Sequence, residues 1–291
     1  MNQPGLALLL LILAALIVPR QVFASPANPG FMVATLKVMP ETGNKARNYA
    51  VFAKFAREAA AAGARLIVTP EGYLEGYMGA PKFAPGMTHE KLLDLGETMD
   101  GPWGRRAAAL AGELKVFLIF CFAERRGSQV FNTAALFAPD GSLAGRYSKS
   151  HLVGGELYDP GTELPVFDTA LGRMGILICF DRRPPEAARV LALKGAQFLV
   201  VPSYGTVSTP MDEDILMQAR AQENGVYVVY TSPKNAFVVA PDGEIISQVR
   251  GDTDGLMFAR LVLDERIGDT NSIKVRHPAL YRRLSEEPPS R

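Results

Sequence analysis

Three residues able to do covalent chemistry stand just past apolar runs. Glu71 follows RLIVTP (65–70), Lys149 closes LAGRYSK (143–149), and Cys179 emerges from GILICF (175–180). In α/β sheets reactive groups collect beyond the carboxyl ends of the strands, so three such exits predict a single site. A thiol of ordinary pKa is mostly protonated near neutral pH and needs a base or a cation beside it to become a nucleophile. Glu71 can take that proton. Lys149 can favour the thiolate and then hold the oxyanion of a tetrahedral intermediate. A desolvated ammonium needs a carboxylate partner, which Glu71 also supplies. Cys179 leads into a turn before Pro184, which makes the backbone N–H of Phe180 a second donor for the oxyanion. Singly, each residue has a plainer reading: Glu71 a helix cap, Lys149 a solvated loop residue, Cys179 core filler. Their conjunction carries the expectation.

Such exits need a scaffold of buried strands. FMVATLKV (31–38), KVFLIFCFAE (115–124), RMGILICF (173–180), FLVVPS (198–203) and VYVVYTS (226–232) read as buried strands beside RLIVTP. Helical spacing at Tyr49, Phe52, Phe55 and Ala56 predicts a helix over 44–64 that stops at Gly63. Further helices are expected near 103–114, 185–195 and 210–224. Buried strands alternating with helices argue for an α/β layer rather than strands alone. Two segments echo one another. FNTAALFAPDGSLAGRYSK (131–149) and NAFVVAPDGEIISQV (235–249) each run strand, Ala-Pro-Asp-Gly, strand, and each predicts a hairpin. No long linker divides the chain after residue 24, so one domain of two similar halves is expected.

The motifs around these residues are VTPEGYLEGY at Glu71, GRYSKSHL at Lys149 and GILICFDRRPPEAARVLALKGAQFLVVPS at Cys179, with RAQENGVYVV at 220–229. In them the chain resembles the nitrilase superfamily of carbon–nitrogen hydrolases, from FMVATLKV to RHPALYRRL. The resemblance implies a four-layer αββα sandwich, assembly into a homodimer or larger homo-oligomer, and a Glu71–Lys149–Cys179 triad. It places a second glutamate at Glu156 in ELYDPG and implies no metal or organic cofactor. The implied chemistry is attack of the Cys179 thiolate on an amide-type carbon, loss of ammonia or an amine, and hydrolysis of the thioester by water activated at Glu71. Nitrilases proper usually read Cys-Trp-Glu; this chain reads Cys-Phe-Asp, which points to linear amides or N-carbamoyl compounds. The following Arg182 and Arg183 resemble the arginines that clasp substrate carboxylate in N-carbamoyl-amino-acid amidohydrolases, and a guanidinium suits that task. Clasp and strut of the turn fit Arg182 equally; strut fits Arg183 better. His151 is expected near the substrate, and a Cys179–His151 dyad is the alternative catalytic arrangement. The stretch 72–87 is a candidate pocket wall, although loop packing is its plainer reading.

The 291 residues are 48% hydrophobic, enough for an ample core, and 31 Lys plus Arg against 30 Asp plus Glu leave no basic excess for nucleic acid. A small-molecule amide or ureido substrate is the expected partner. LALLLLILAALIV (6–18), the Pro19-Arg20 break and Val22-Phe23-Ala24 predict a signal peptide over 1–24, an exported protein, and a hydrolase domain over 25–291. The leader lacks a basic n-region, and an uncleaved anchor is the other reading. Export makes a Cys121–Cys179 disulfide conceivable, but Cys121 reads as a small hydrophobe within its strand. Three other functions compete: a non-catalytic binding or sensor protein, a nitrilase acting on a nitrile, and a membrane-anchored acyltransferase. The last would carry several spans before the domain, whereas this chain has one short apolar run.

Overall fold

The computed structural model describes residues 30–205, 210–264, 267–268 and 270–286; the leader expected over 1–24 lies outside them. Among the described residues twelve strands form two six-stranded sheets. The first runs in the order β12 (Gly255–Leu261), β1 (Phe31–Lys37), β2 (Ala64–Val68), β3 (Phe117–Arg126), β4 (Gln129–Phe137), β5 (Leu143–Ser148). The second runs β11 (Ile245–Arg250), β10 (Asn235–Val239), β9 (Tyr227–Thr231), β8 (Phe198–Pro202), β7 (Gly172–Ile176), β6 (Val166–Thr169). Each has a parallel centre and antiparallel flanks. β1 to β3 are parallel neighbours, as are β7 to β9, and a hairpin extends each set through β4–β5 or β10–β11.

Side-chain alternation builds the layers. Val33, Leu66, Val68, Ile119 and Cys121 point inward and meet Ile176, Ile178, Val200 and Val229 of the facing sheet. Their neighbours Ala34, Ile67, Leu118 and Phe120 point outward onto α1 (Lys45–Ala61) and α3 (Pro102–Leu114). On the opposite side Leu199, Val201, Val228 and Tyr230 pack against α4 (Pro185–Leu193) and α5 (Pro210–Asn224). Strands buried on both faces must be apolar without interruption, as these sequences are. The result is the αββα sandwich expected from the resemblance.

The twin hairpins match bond for bond. Ala138 N donates to Ser142 O and Gly141 N to Ala138 O, at 2.8 and 2.9 Å; Ala240 N to Glu244 O and Gly243 N to Ala240 O repeat both distances. Asp140 and Asp242 each accept a backbone N–H two residues on, at 2.9 and 3.0 Å. The glycines sit at φ 85° and 93°, a region open to them at no steric cost. β12 was not read from sequence: its apolar alternation pairs it antiparallel with β1, Phe31 opposite Leu261. The expected strand through Cys179 stops earlier, at Ile176, and Cys179–Arg182 form a 3-10 turn.

Candidate active site

β2, β5 and β7 end on one side of the sandwich, and the chain leaving them carries Glu71, Lys149 and Cys179. Glu71 lies three residues past Val68, wholly buried. Its Oε1 accepts from Asn132 Nδ2 at 2.8 Å and from Lys149 Nζ at 3.0 Å, while Oε2 accepts from the Tyr204 backbone N–H at 2.8 Å. Tyr204 follows the carboxyl end of β8, so the second sheet helps aim a carboxylate borne by the first. Lys149 is also wholly buried, and its Nζ donates to Glu156 Oε1 at 2.6 Å. Glu156 itself accepts from the Val153 N–H at 3.0 Å and from the Tyr77 hydroxyl. Burial works against the Lys149 ammonium, but Glu71, Cys179 and Glu156 outweigh it and hold its pKa above the ordinary value.

Cys179 takes φ 48°, a left-handed conformation that few non-glycine residues adopt. Strained backbone of this kind clusters at active sites, where the surrounding structure holds it in place. Asp181 fastens the turn. Its Oδ2 accepts from Ile178 N–H at 2.9 Å and Tyr147 hydroxyl at 2.7 Å, and its Oδ1 from His151 N–H at 2.8 Å. Arg220 of α5 fastens it from outside, donating to the carbonyls of Arg182 and Arg183 at 3.1 and 2.8 Å. Desolvation and Glu71 push the Cys179 thiol up, while Lys149 and Arg182 pull it back.

The thiol opens into a cavity of about 380 Å³ that Glu71, Glu156, Phe180, Arg182 and Arg183 also line. One wall is aromatic. Tyr77 stacks on Tyr204 at 4.7 Å between ring centroids, and Phe83 meets Tyr204 at 5.0 Å. The stretch 72–87 therefore contributes pocket wall through Tyr77, Ala80, Pro81, Lys82 and Phe83. Lys82 is exposed, with Nζ 4.7 Å above the Phe83 ring. Of the two arginines, Arg183 is exposed on the cavity wall and Arg182 is 2% exposed, its Nη1 3.4 Å from Cys179 Sγ.

His151 packs against the turn that carries Cys179. Its Nδ1 stands 2.8 Å from Asp181 Oδ1, it is absent from the cavity lining, and that carboxylate raises its pKa. Cys121 and Cys179 are both free thiols, and Cys121 is fully buried between the sheets. Sequence reasoning overlooked Asn132, Asp181, Tyr204 and Arg220 as members of the site. Asn132 had a signal, a buried amide inside the apolar run of β4; Tyr204 and Arg220 act through partners distant in sequence, and Asp181 through Ile178 nearby as well as Tyr147 and His151 farther off. Among the described residues no cluster of His, Cys, Asp or Glu is arranged to hold a metal ion.

Comparison with known proteins agrees with this geometry. The carbon–nitrogen hydrolase family model matches residues 32–268. Omega-amidase NIT2 of Homo sapiens is 30% identical over 243 residues, covering 75% of this chain and 84% of that protein. Probable nitrilase C965.09 of Schizosaccharomyces pombe is 29% identical over 238 residues, covering 75% and 85%. Among solved structures, Saccharomyces cerevisiae Nit3, a member of branch 10 of the nitrilase superfamily, aligns with TM-score 0.71 at 25% identity over 84% of this chain and 94% of that one. Glu71, Lys149, Glu156 and Cys179 all fall inside the matched span, and the chain belongs to the carbon–nitrogen hydrolase family of the nitrilase superfamily.

Proposed function

We propose that the chain is a thiol amidohydrolase that cleaves the C–N bond of a linear amide or N-carbamoyl compound through an acyl-enzyme on Cys179. The observation that carries this reading is the buried Lys149 ammonium, held at 3.0 Å by Glu71 and at 2.6 Å by Glu156, two carboxylates that line the cavity together with Cys179. Burying a cation is costly unless it is paired, and two carboxylates meet that cost here. In the proposed reaction Glu71 accepts the Sγ proton as sulfur bonds to the carbonyl carbon. The carbonyl oxygen takes up the electron pair and is held by Lys149 and the Phe180 N–H. Collapse of the intermediate breaks the C–N bond, and the proton from Glu71 leaves with ammonia or an amine. Water, deprotonated by Glu71, then attacks the thioester, releases the acid and restores the thiol. Glu156 holds Lys149 in place through both halves.

Support for an amide rather than a nitrile comes from Cys-Phe-Asp at 179–181 and from the omega-amidase relative. The exposed cations Lys82 and Arg183 at the cavity favour substrates that carry a carboxylate away from the scissile bond. The test is ammonia release by the wild type and by Cys179→Ala from an ω-amide of a dicarboxylic acid, a neutral aliphatic amide and a ureido acid. The variant is expected to lose turnover at least ~10³-fold on every substrate; retained turnover overturns the thiol mechanism. A non-catalytic binding protein would instead bind these compounds with no acyl adduct on Cys179 by mass spectrometry. Export with removal of residues 1–24, and a homo-oligomeric state, are proposed from sequence alone; N-terminal sequencing and light scattering of the purified protein test them.

A further inference from the structure

We propose that Arg182 is a fourth catalytic residue, the cation that stabilises the Cys179 thiolate, rather than a clasp for the substrate's carboxylate. The inference rests on the thiol mechanism just given. Its first support is position. Arg182 is 2% exposed and sits three residues after the thiol in the same 3-10 turn, its Nη1 in hydrogen-bonding reach of Sγ at 3.4 Å. A guanidinium so placed touches the reacting atom, whereas Arg183 is the exposed one of the two.

The second support is charge. Lys149 is shared by two carboxylates, Glu71 and Glu156, so those three groups sum to one negative charge before the sulfur ionises. Moving the Sγ proton onto Glu71 leaves the total unchanged but places a negative charge on sulfur in a desolvated site. Arg182 supplies the compensating charge within 3.4 Å of the sulfur. The groups facing the thiol are Glu71 and Lys149 from just past β2 and β5, Tyr77 from the loop after β2, Ser203 just past β8, Tyr230 of β9, and Arg182 from its own turn. Lys149, Arg182 and the Ser203 hydroxyl favour the ionised sulfur, whereas burial and Glu71 oppose it. Behind Arg182 stands Glu213, whose carboxyl is raised by burial and held by Asn235 Nδ2 at 2.9 Å.

The third support is the bracing of the turn. Arg220 grips the carbonyls of Arg182 and Arg183, and Asp181 grips the chain at Ile178, so both ends of the Cys179–Arg182 turn are tied. Sulfur and guanidinium thus keep their spacing without help from substrate. In the reaction Arg182 keeps its proton throughout. Its hydrogen bond strengthens when Sγ loses a proton to Glu71, weakens as the C–S bond forms, and strengthens again when the thioester collapses and sulfur departs with the electron pair. Both acylation and deacylation depend on it.

The test is the pH dependence of Cys179 alkylation by iodoacetamide, followed by mass spectrometry in wild type, Arg182→Met and Arg182→Gln. The Gln variant keeps a buried donor and serves if the Met chain does not fold, which circular dichroism establishes. Removing the cation is expected to raise the alkylation midpoint by about one unit or more, roughly a tenfold loss of thiolate below the midpoint. Arg182→Lys restores part of that shift. In the same variants kcat/KM for a neutral amide falls as far as for a carboxylated one. An unshifted midpoint in a folded variant, or a loss confined to KM for carboxylated substrates, overturns the proposal. Failure here with an inactive Cys179→Ala variant refutes the role of Arg182 alone; an active Cys179→Ala variant refutes the mechanism beneath it.

Discussion

Glu75 shows how much a single buried acid can couple this site to pH. It lies four residues after Glu71, 1% exposed, and accepts from the Ala123 N–H at 3.1 Å and the Tyr158 hydroxyl at 3.4 Å. Burial raises its carboxyl from 4.5 to about 7, outweighing those two donors and the charge of Lys45. Between these values the folded chain holds a proton that the unfolded chain has released, so stability falls as pH rises through that window. The full effect is about 3 kcal/mol. Glu75→Gln removes the titrating group, and its urea midpoint should decline less than that of wild type from pH 4.5 to 7. Parallel curves would place the proton elsewhere.

At the scale of elements, the two Ala-Pro-Asp-Gly hairpins share a geometry but differ in their surroundings. Gly141 turns back over α3, where an added Cβ would stand 3.0 Å from the Ala108 carbonyl oxygen; at Gly243 the nearest atom would be 3.5 Å away. Alanine at either site meets the cost of a left-handed backbone, about 1–2 kcal/mol. Gly141→Ala should therefore destabilise more than Gly243→Ala in urea unfolding, and equal losses would contradict the contact. The turns were legible from sequence because Pro, Asp and Gly each impose a local conformation. So were the buried strands and the exits bearing Glu71, Lys149 and Cys179. The end of β7 was not: apolar residues continue to Ile178, while the turn that lifts Cys179 out begins only because Asp181 accepts the Ile178 N–H.

For the molecule as a whole, the space between the sheets separates two thiols of opposite character. Cys121 is 0% exposed among Leu, Ile and Val side chains, and burial pushes its pKa far above the ordinary value. Its Sγ contacts the Thr69 carbonyl oxygen at 3.8 Å rather than the second thiol. Native alkylation should label Cys179 alone, with Cys121 reacting only in denaturant, as peptide mapping would show. Labelling of both in the native state would mean that the sheets open. The sandwich thus shields one sulfur and presents the other.

Local chemistry in the chain determined which segments are strands, where they turn, and which reactive types stand at their ends, because backbone conformation and burial follow from residues a few positions apart. The tertiary structure alone decided what those groups meet. Tyr204 reaches Glu71 across 133 positions and Arg220 reaches the turn carbonyls across 38 and 37. His151 meets Asp181 across 30 positions. Such pairings depend on how two sheets stack and where their strand ends coincide, and no local pattern encodes that distance.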